Sequence, residues 1–485
     1  MRLIELIDKI IPLRDTGNFT EIEIHSLVAD SRKVVPGALF VCLDGEKEDG
    51  HAFIDDAVKK GASAIVVSHV SSRFSQYSNT IFLIHENPKK ILPDLLNRFY
   101  QHPSMRLSLM GVTGTNGKTT TTYLIESIYR EAGKSCGVIG TVNYRFGGKV
   151  FSARNTTPGL ADIIFYLDDM IKAGVGACVM EVSSHALVQQ RIQGLVFEQA
   201  IFSNLTSDHL DYHHTREEYF LAKSKFFDGS NNVKRSIINV DDPYGRRLVG
   251  MSAAPVLTYA IDENADIRAR NINMELSGSE FELATPKGTI AIRTPLIGRH
   301  NIYNILAAVS SCFEKGFSPE EIRKGVESLA VVPGRLERVE EAKDFFVFVD
   351  YAHTEDALKN VLESIRGIGR HRILVLFGCG GDRDKTKRPK MASVVEKYAD
   401  FAIIANDNPR TEDPDAIVGE ILQGFTHDRY KVIQDRYEAV RFILEMARPG
   451  DCVLIAGKGH EDYQIFKDKT IHFDDREAAK QFFKK

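Results

Sequence analysis

Short, continuous apolar runs recur along this chain, separated by longer stretches in which apolar positions return every third or fourth residue. A continuous apolar run of about four to eight residues is typical of a strand buried on both faces, and the longer spacing is typical of a helix. Strands that alternate with helices indicate parallel sheets with helices on both sides. The pattern therefore predicts an α/β protein.

The runs fall into three groups, which predict three domains at residues 1–100, 101–333 and 334–485. The first is a small α/β domain with runs that begin at Leu39, Ala64 and Ile81. In the second, runs begin at Leu107, Cys136, Ala177, Ala200 and Ser236, and helices are predicted after Pro158, over Thr215–Phe227 and near Asn301. In the third, runs end at Asp350, Gly378, Asp407 and Gly459. Pro333-Gly334 is the best linker candidate.

The stretch LSLMGVTGTNGKTTTT, at Leu107–Thr122, carries the strongest functional signal. Gly114 and Gly117 allow backbone N–H groups to converge on an anion, and the start of the following helix adds its positive dipole end. Lys118 can reach terminal phosphates, and the Thr119 hydroxyl can bind magnesium. One glycine of the usual pattern is missing, but the Gly-Lys-Thr-Thr run favours a P-loop over an ordinary strand-to-helix turn. It predicts ATP or GTP binding on a doubly wound central sheet.

Polar residues follow each apolar run of the third domain, which has a Rossmann-like alternation. Ligands of open parallel sheets bind beyond the carboxyl ends of the strands, so these tails predict one shared site. Arg383 and Arg410 together with Glu461 would suit an amino acid that has both acid and amine groups, although surface ion pairs are the alternative. Arg335, after the linker, is placed to reach the nucleotide. The tails are residues 350–353, 380–384, 407–410 and 457–461.

Glu181 follows the run at Ala177, where a carboxylate beside the phosphate loop would suit magnesium, although a capping or salt-bridged glutamate fits the motif equally well. The histidine-rich stretch 203–214 invites a transition-metal interpretation, which the absence of cysteine disfavours. His209 is expected to be a magnesium-side or structural ligand. His213 and His214 are expected to face solvent.

Lys223 lies on the helix predicted at Thr215–Phe227. Helix lysines are usually exposed, and a lysine that pointed toward magnesium would be repelled by it. Lys223 could serve such a site only if it were neutral or chemically converted to an anion.

Composition excludes several classes of function. The formal net charge of −4 does not indicate binding to nucleic acid or to an anionic membrane. No apolar run reaches membrane-spanning length. The first ten residues predict a short amphipathic helix and not a signal peptide. Six scattered cysteines without a CxxC pair indicate buried thiols in a reducing compartment. These features predict a cytoplasmic protein without a nucleic-acid partner or membrane insertion.

With these motifs in place, the chain closely resembles the Mur ligase family, ATP-dependent amide-forming enzymes of peptidoglycan precursor synthesis. The resemblance spans all three domains, and within the family it is to members that add diaminopimelate as the third peptide residue. The motifs are GTNGKTT at 114–120, NTTPG at 155–159, EVSSHAL at 181–187, SNLTSDHLDYH at 203–213, GRHN at 298–301, DYAHT at 350–354, GCGGDRD at 378–384, DNPRTEDP at 407–414 and GKGHEDYQ at 457–464.

The resemblance implies a monomer that uses ATP, Mg²⁺ and two small-molecule substrates, UDP-N-acetylmuramoyl-L-alanyl-D-glutamate and meso-diaminopimelate. The implied ATP site is Gly114, Thr115, Asn116, Gly117, Lys118, Thr119, Thr120, Asn301, Arg335, Asp350 and His353. The implied UDP-substrate site is Ser31, Asn155, Thr156, Thr157, Ser183, Gln189 and Arg191. The implied diaminopimelate site is Arg383, Asp407, Asn408, Pro409, Arg410, Gly457 and Glu461. The implied magnesium ligands are Thr119, Glu181, His209 and Lys223, the last carbamylated to N6-carboxylysine, and Lys118, Glu181, His209 and Lys223 form the implied catalytic group.

The expected reaction activates the D-glutamyl γ-carboxylate as an acyl phosphate, which the amine of diaminopimelate then attacks. Alternatives on the same scaffold are a lysine-adding ligase or a folylpolyglutamate-synthase-like ligase. An alternative of another class is a nucleotide-dependent switch without ligase activity. The absence of an Asn-Lys-x-Asp motif argues against a GTPase switch.

Overall fold

The computed structural model describes residues 1–12, 21–43, 49–206, 208 and 210–484. Its three main sheets have four, eleven and six strands, and two further pairs of short strands accompany them. We call the corresponding parts the N-terminal unit (elements from Leu3 to Arg106), the central unit (Ser108 to Glu327) and the C-terminal unit (Glu337 to Phe483). None of the helices in the described part of the chain combines the length and the apolar character that a membrane crossing requires.

The N-terminal unit is a parallel sheet in the order β1-β2-β3-β4. Its strands are β1 (Ser26–Val28), β2 (Ala38–Val41), β3 (Ala64–Val67) and β4 (Ile81–Ile84), and its helices are α1 (Leu3–Ile7), α2 (Ile54–Lys59), α3 (Pro88–Phe99) and α4 (Pro103–Arg106). The amphipathic helix predicted at the N-terminus is α1, whose Leu3, Leu6 and Ile7 are buried.

The central unit contains the eleven-stranded sheet and a short parallel pair. Its strands are β5 (Ser108–Thr113), β6 (Cys136–Ile139), β7 (Asn143–Phe146), β8 (Lys149–Ser152), β9 (Ala177–Glu181), β10 (Val196–Phe197), β11 (Gln199–Phe202), β12 (Asn232–Val233), β13 (Ser236–Asn239), β14 (Val256–Ala260), β15 (Ile267–Glu275), β16 (Gly278–Thr285) and β17 (Gly288–Thr294). Its helices are α5 (Lys118–Glu131), α6 (Leu160–Lys172), α7 (Ser184–Val188), α8 (Leu210–His213), α9 (Arg216–Ser224), α10 (Pro243–Met251), α11 (Arg299–Glu314) and α12 (Pro319–Glu327).

The order of the central sheet is β17-β16-β15-β14-β13-β11-β5-β9-β6-β7-β8. The strands from β15 to β6 in this order pair in parallel, and antiparallel strands extend the sheet at both edges. Successive residues of β5 belong to different cores, Leu109 with α6 and Met110 with α5 and α11, so helices cover both faces. The predicted doubly wound sheet is therefore confirmed, and β5 brings the phosphate loop to its middle.

The C-terminal unit is a second sheet covered on both faces, with the order β18-β19-β23-β20-β21-β22 and parallel pairing except at β18. Its strands are β18 (Glu337–Arg338), β19 (Phe346–Asp350), β20 (Ile373–Phe377), β21 (Phe401–Ile404), β22 (Tyr430–Val432), β23 (Cys452–Ala456), β24 (Tyr463–Ile465) and β25 (Thr470–His472). Its helices are α13 (Glu355–Ile368), α14 (Lys387–Tyr398), α15 (Pro414–Leu422), α16 (Arg436–Met446) and α17 (Asp475–Phe483).

The three units differ in how their cores are connected. Apolar residues of the N-terminal unit, such as Leu95 of α3, and of the central unit, such as Ile163 of α6, belong to one continuous cluster. The C-terminal sheet has two clusters of its own, one of which takes in only Leu276 and Ile297 from the central unit. The domain boundaries at residues 100 and 333 stay predictions.

Candidate active site

The phosphate loop is the segment 114–117, between β5 and α5. Gly114 has φ +144° and Gly117 has φ +89°, backbone conformations that favour glycine. Neighbouring groups also leave no room for a side chain, since a Cβ on Gly114 would lie 2.0 Å from Ser203 Oγ and one on Gly117 2.1 Å from Asn304 Oδ1. The first N–H groups of α5 have no partner within the helix. Together with the helix dipole they make an anion-binding cradle.

Residues at the end of β11 hold the loop in shape. Thr115 N donates to Asn204 O at 2.8 Å, and Asn116 N donates to Asn204 Oδ1 at 3.0 Å. Ser203 Oγ donates to Asn116 O at 2.6 Å. Thr120, also predicted to bind the nucleotide, is buried in the first turn of α5. These hydrogen bonds fix the shape of the cradle.

Two lysines converge on one backbone oxygen of this loop. Lys118 Nζ and Lys223 Nζ each donate to Gly114 O at 2.9 Å. Lys223 is only 1% exposed, and its Nζ lies 4.7 Å from the centre of the Tyr219 ring. Burial lowers the pKa of both lysines, and the charge of Lys118 lowers the pKa of Lys223 further. Lys223 is therefore a buried amine whose charged form is disfavoured by its surroundings, whereas Lys225 is exposed.

Glu181, the last residue of β9, is buried beside the loop. Its Oε1 accepts hydrogen bonds from Thr119 Oγ1 at 3.0 Å and Thr141 N at 2.9 Å, and its Oε2 accepts one from Thr141 Oγ1 at 3.0 Å. A carboxylate and a hydroxyl at the mouth of an anion site are the oxygen ligands that Mg²⁺ prefers when it also contacts phosphate. These residues therefore fit magnesium. His209, another of the four predicted ligands, lies outside the described residues.

His213 does not face solvent as predicted. The residue is 5% exposed, its Nε2 lies 2.8 Å from Ser184 Oγ, and its ring centroid is 5.0 Å from that of Tyr219. The prediction is wrong because α8 packs against α9 and turns this side chain inward, toward α7. His214, the next residue, is exposed as expected.

Residues predicted to hold the UDP substrate converge beside Glu181. Thr157 Oγ1 donates to Glu181 O at 2.8 Å and accepts from Ser183 N at 3.0 Å. Arg191 links the group, because Nη1 donates to Thr157 O at 2.8 Å and Nη2 donates to Gln189 Oε1 at 2.6 Å. The structure thus brings these four predicted residues together at the end of β9.

The remaining predicted contacts to this substrate lie around the start of α6. Thr156 Oγ1 lies 3.0 Å from Thr141 Oγ1, and Asn155 belongs to the same loop. Ser31 is in a short turn of the N-terminal unit, and Lys33 of that turn forms an ion pair with Asp162 in the first turn of α6. The turn therefore stands beside the loop that precedes α6.

Arg335, directly after the Pro333-Gly334 linker, contacts the first turn of α5, next to the phosphate loop. Its Nη2 donates to Thr119 Oγ1 at 3.3 Å, and its guanidinium carbon lies 5.0 Å from the centre of the Tyr351 ring. Its Nε is buried and has no hydrogen-bond partner among the described residues. An unpaired buried donor beside the phosphate loop supports its prediction as a nucleotide contact.

Three other residues that are predicted to contact the nucleotide form hydrogen bonds within the protein in this structure. Asp350 accepts from the backbone N–H of residues 336 and 352, at 2.6 and 2.8 Å. Asn301 Oδ1 accepts from Asn304 Nδ2 at 3.0 Å, and His353 Nδ1 lies 2.8 Å from the carbonyl oxygen of Tyr351. Asp350 therefore fixes the turn that carries Arg335, and Asn301 supports the residue that faces Gly117.

The polar tails of the C-terminal strands lie side by side, as predicted, because β19, β23, β20 and β21 are neighbours. Asn408 Nδ2 donates to Glu461 Oε2 at 3.0 Å, and the fully buried Lys458 donates to the same oxygen at 3.2 Å. Gly457 is close to Asp407, since a Cβ at this glycine would lie 2.9 Å from Asp407 Oδ2. Acidic and amide groups from two tails thus share one pocket.

Two arginines stand at the 380–384 turn of this pocket. Arg410 Nη1 donates to Gly381 O at 2.8 Å, and Arg383, which is exposed, donates to Asp382 O at 2.9 Å. Pro409, before Arg410, is buried. A guanidinium has five N–H donors, so one bond to the protein leaves others for a carboxylate ligand.

Buried ion pairs hold the pocket tails in place. Arg388 is fully buried and donates to Glu412 at 3.0 Å and to Gly380 O at 3.2 Å, while Glu412 Oε1 accepts from Asp382 N at 2.6 Å. The hydrogen bond from the Arg388 guanidinium lowers the pKa of Glu412 to about 2. The tails after β20 and β21 are therefore tied together beneath the two arginines.

A series of contacts joins the first turn of α5, which directly follows the phosphate loop, to this pocket. Arg335 touches Thr119 on one side and Tyr351 on the other. The Tyr351 ring lies 5.0 Å from the His460 ring, and His460 precedes Glu461 of the pocket. The arrangement can present a phosphorylated group and an amine to each other.

Several residues of the site are missing from the sequence predictions. Asn204 and Asn304 shape the phosphate loop, Thr141 fixes Glu181, Lys458 binds Glu461, and Asp356 contacts the loop from the C-terminal unit. Asn204 and Lys458 lie inside the motifs at 203–213 and 457–464, so their membership of these motifs could have identified them. The local sequence around the other three residues gives no such indication.

Comparison with known proteins gives matches over most of the chain. Residues 112–312 match the Mur ligase middle domain, residues 334–459 the Mur ligase glutamate ligase domain, and residues 23–100 the Mur ligase family catalytic domain. A UDP-N-acetylmuramoyl-L-alanyl-D-glutamate–2,6-diaminopimelate ligase of Geobacillus thermodenitrificans is 45% identical over 466 residues, 94% of each chain. A protein of the same description from Clostridium acetobutylicum is 43% identical over 465 residues, 96% of this chain and 95% of its own. A solved structure of a ligase so described is 31% identical, with a TM-score of 0.73, and covers 100% of this chain and 99% of its own.

Proposed function

Because the chain belongs to the Mur ligase family, we propose that it joins meso-2,6-diaminopimelate to the D-glutamyl γ-carboxylate of UDP-N-acetylmuramoyl-L-alanyl-D-glutamate, with ATP converted to ADP. The product is a precursor of peptidoglycan. The observation that carries the proposal is the series of contacts from Thr119 through Arg335 and Tyr351 to the pocket of Glu461. It supports one site in which an activating centre and an amine pocket act on the same carboxyl group.

ATP binds with its triphosphate on the phosphate loop. The N–H groups at the start of α5 contact phosphate oxygens, and Lys118 leaves Gly114 O to reach the terminal phosphate. A cleft between the central and C-terminal units, lined by Ile297, Asn301, Arg335 and other residues, is our candidate for the nucleoside.

Magnesium would be held by Thr119, Glu181, His209 and a carbamate on Lys223. Bound there, the ion would neutralise phosphate charge and orient the terminal phosphoryl group. Lys223 acquires the carbamate when its neutral amine attacks the carbon of carbon dioxide and releases a proton. The low pKa of the buried amine favours this reaction, and the resulting anion replaces an ammonium that Lys118 repels.

The first chemical step activates the carboxylate, which is a poor electrophile. An oxygen of the D-glutamyl γ-carboxylate attacks the γ-phosphorus of ATP, the bond to the bridging oxygen breaks, and ADP leaves with the electron pair. Lys118 stabilises negative charge on the transferred group. Thr157, Ser183, Gln189 and Arg191 hold the substrate that carries the carboxylate, next to Glu181.

The second step forms the amide. The neutral amine of diaminopimelate attacks the acyl carbon, phosphate leaves with the electrons of the acyl–oxygen bond, and the nitrogen gives a proton to the departing phosphate. Arg410 and Arg383 bind the distal carboxylate, while Glu461, Asn408, Asp407 and Gly457 hold the distal amine. Orientation of this kind contributes several kcal/mol to catalysis, on the order of what near-attack positioning supplies. The units close around the acyl phosphate because water would otherwise hydrolyse it.

We further infer a monomeric cytoplasmic enzyme that acts on small molecules and has no membrane or nucleic-acid partner. The six cysteines carry free thiols, which is the state expected in a reducing compartment. Size-exclusion chromatography with light scattering tests the monomer.

Product mass is the decisive test of the reaction. The enzyme is incubated with ATP, UDP-N-acetylmuramoyl-L-alanyl-D-glutamate and an equimolar mixture of diaminopimelate and lysine. We expect the diaminopimelate adduct, and ADP only when both substrates are present. A lysine adduct would assign the pocket to the alternative ligase, and phosphate release from ATP alone would favour a nucleotide-dependent switch.

A further inference from the structure

We propose that Asp356 is a positioning residue that docks the C-terminal unit on the phosphate loop. In the docked position the acyl phosphate reacts with the amine faster than water hydrolyses it. The proposal rests on the function proposed above. It concerns a contact between units that involves no residue assigned to either amino-acid or UDP-substrate binding.

Asp356 lies in the first turn of α13, which Thr354 caps by accepting from Ala357 N at 3.3 Å. A carboxylate in the first turn of a helix is stabilised by the positive end of the helix dipole. The helix itself lies against the central unit, because Ser364 Oγ is 2.9 Å from Nδ1 of His300 in α11. The position of α13 thus presents an anion to the central unit.

One oxygen of Asp356 accepts three hydrogen bonds. Thr206 Oγ1 donates to Oδ2 at 2.7 Å, Asn116 Nδ2 donates to it at 3.1 Å, and Asn360 Nδ2 donates to it at 3.0 Å. Asn360 is one turn further along α13 and fixes the carboxylate within its own unit. Thr206 and Asn116 belong to the central unit, so two of the three bonds cross between units.

Both central donors are themselves part of the phosphate-loop structure. Asn116 is a loop residue whose carbonyl oxygen accepts from Ser203 Oγ at 2.6 Å and Asn204 Nδ2 at 3.2 Å. Thr206 N donates to Thr115 Oγ1 at 3.0 Å. Asp356 therefore reaches the cradle by two routes, and docking of the C-terminal unit and the shape of the loop stabilise each other.

This geometry predicts a particular defect when Asp356 is removed. The groups that activate the carboxylate, Lys118, Thr119 and Glu181, lie in the central unit, whereas amide formation also needs the amine pocket of the C-terminal unit in place. An acyl phosphate that forms while the C-terminal unit is undocked is exposed to water. Loss of the contact should therefore raise the ratio of phosphate released to amide formed, whereas general damage to the fold would lower both rates together.

The test measures phosphate and tripeptide in the same reaction, with every substrate saturating. Hydrogen bonds to a charged group carry enough free energy for about a 10-fold effect, so we expect D356A to form amide about 10-fold more slowly and to release several phosphates per amide. The matched control is E355A, which removes the preceding, exposed carboxylate of the same helix turn. Wild type and E355A should release about one phosphate per amide.

T206V provides the same test from the other side of the contact, and it keeps both the shape of the residue and its backbone hydrogen bonds. It should raise the ratio as well, and the double variant should be no worse than D356A alone, because D356A already lacks the hydrogen bond that T206V removes. Ratios equal to wild type in D356A and T206V would overturn the proposal.

Hydrogen exchange separates this proposal from the proposed function. Amides of residues 114–120 should exchange faster in D356A than in E355A, whatever reaction the enzyme catalyses. If wild type makes no tripeptide, the proposed function fails. If exchange is equal in the two variants, the docking contact itself fails.

Discussion

Lys118 and Lys223 share a single backbone acceptor, and this sets the charge problem of the site. Two ammonium groups so close together repel each other, and because Lys223 is buried, bulk solvent screens the repulsion only weakly. Burial and the charge of Lys118 both lower the pKa of Lys223, which favours loss of its proton. The same residue is therefore suited to carry the negatively charged carbamate.

Lys223 should carry a carbamate in the active enzyme. With ¹³C-labelled bicarbonate we expect a carbamate carbon signal by NMR at neutral pH, where a lysine of ordinary pKa would be too fully protonated to react. The signal should persist in K225A, whose lysine is exposed two residues along, and vanish in K223A. A K223A enzyme that keeps wild-type activity would exclude the modification from the mechanism.

Arg410 should decide which amino acid is used. R410A removes a charge-assisted contact to the distal carboxylate, so we expect kcat/KM for diaminopimelate to fall about 100-fold or more, with little change in KM for ATP. Steady-state kinetics with each substrate varied in turn measures this. R441A, which removes an arginine paired with Glu445 on α16, is the control and should change neither constant. An unchanged rate in R410A would remove Arg410 from the pocket.

The role of a residue could be predicted from the sequence where the residue lies in a continuous motif. The phosphate loop and the start of α5, residues 114–120, are such a case, because the strand, the turn and the start of the helix are consecutive in the chain. Asp356 was not, because its partners Asn116 and Thr206 are remote in the chain and a carboxylate in a first helix turn is ordinary. His213 was mispredicted for a related reason, since only packing between helices buries it.

At the scale of elements, the amino-acid pocket depends on the polar segments that follow the C-terminal strands, which buried arginines hold in place. Arg388 connects the turn after β20 to the tail after β21, and Arg436, paired with Asp475 at 2.8 Å, donates to the last carbonyl of β23 at 2.9 Å. Continuous apolar runs predicted the four strands β19, β20, β21 and β23. They did not predict β15–β17, where apolar and polar residues alternate because one face of the meander is exposed.

Glu412 should make the C-terminal unit sensitive to acid. Its pKa in the folded state, about 2, lies below the ordinary value of 4.5, so its contribution to stability is complete above about pH 4.5 and is lost as the pH falls toward 2. E412Q should therefore unfold more easily at neutral pH, by about 1–3 kcal/mol, and should show a weaker loss of stability over that acid range. Urea unfolding at a series of pH values measures both effects. Parallel pH profiles for wild type and E412Q would contradict this assignment.

At the scale of the whole molecule, two sets of polar contacts tie the C-terminal part of the chain to the phosphate loop and its surroundings. Arg335 contacts Thr119 in the first turn of α5, and Asp356 contacts Asn116 of the loop and Thr206. Both lie where ATP is expected to bind, so occupancy of the site and closure of the unit should be coupled. The sequence predicted three α/β domains but could not predict their mutual arrangement, which depends on a few polar contacts between remote residues.

Small-angle X-ray scattering tests this coupling. We expect the radius of gyration to decrease when a non-hydrolysable ATP analogue and both substrates are added together, and to change less with the analogue alone. D356A should compact less than E355A under the same conditions. A radius of gyration that stays constant through all additions would contradict closure.

The continuous apolar cluster between α3 and α6 has a consequence for how this architecture can diversify. The first two sheets cannot be separated without exposing that cluster, whereas the third has its own interior and touches the rest through polar groups and a few apolar side chains. Residues 334–485 should therefore fold as an isolated fragment, while residues 1–106 alone should aggregate. Recombination at Pro333-Gly334 could then exchange one amino-acid pocket for another and leave the phosphorylating machinery intact.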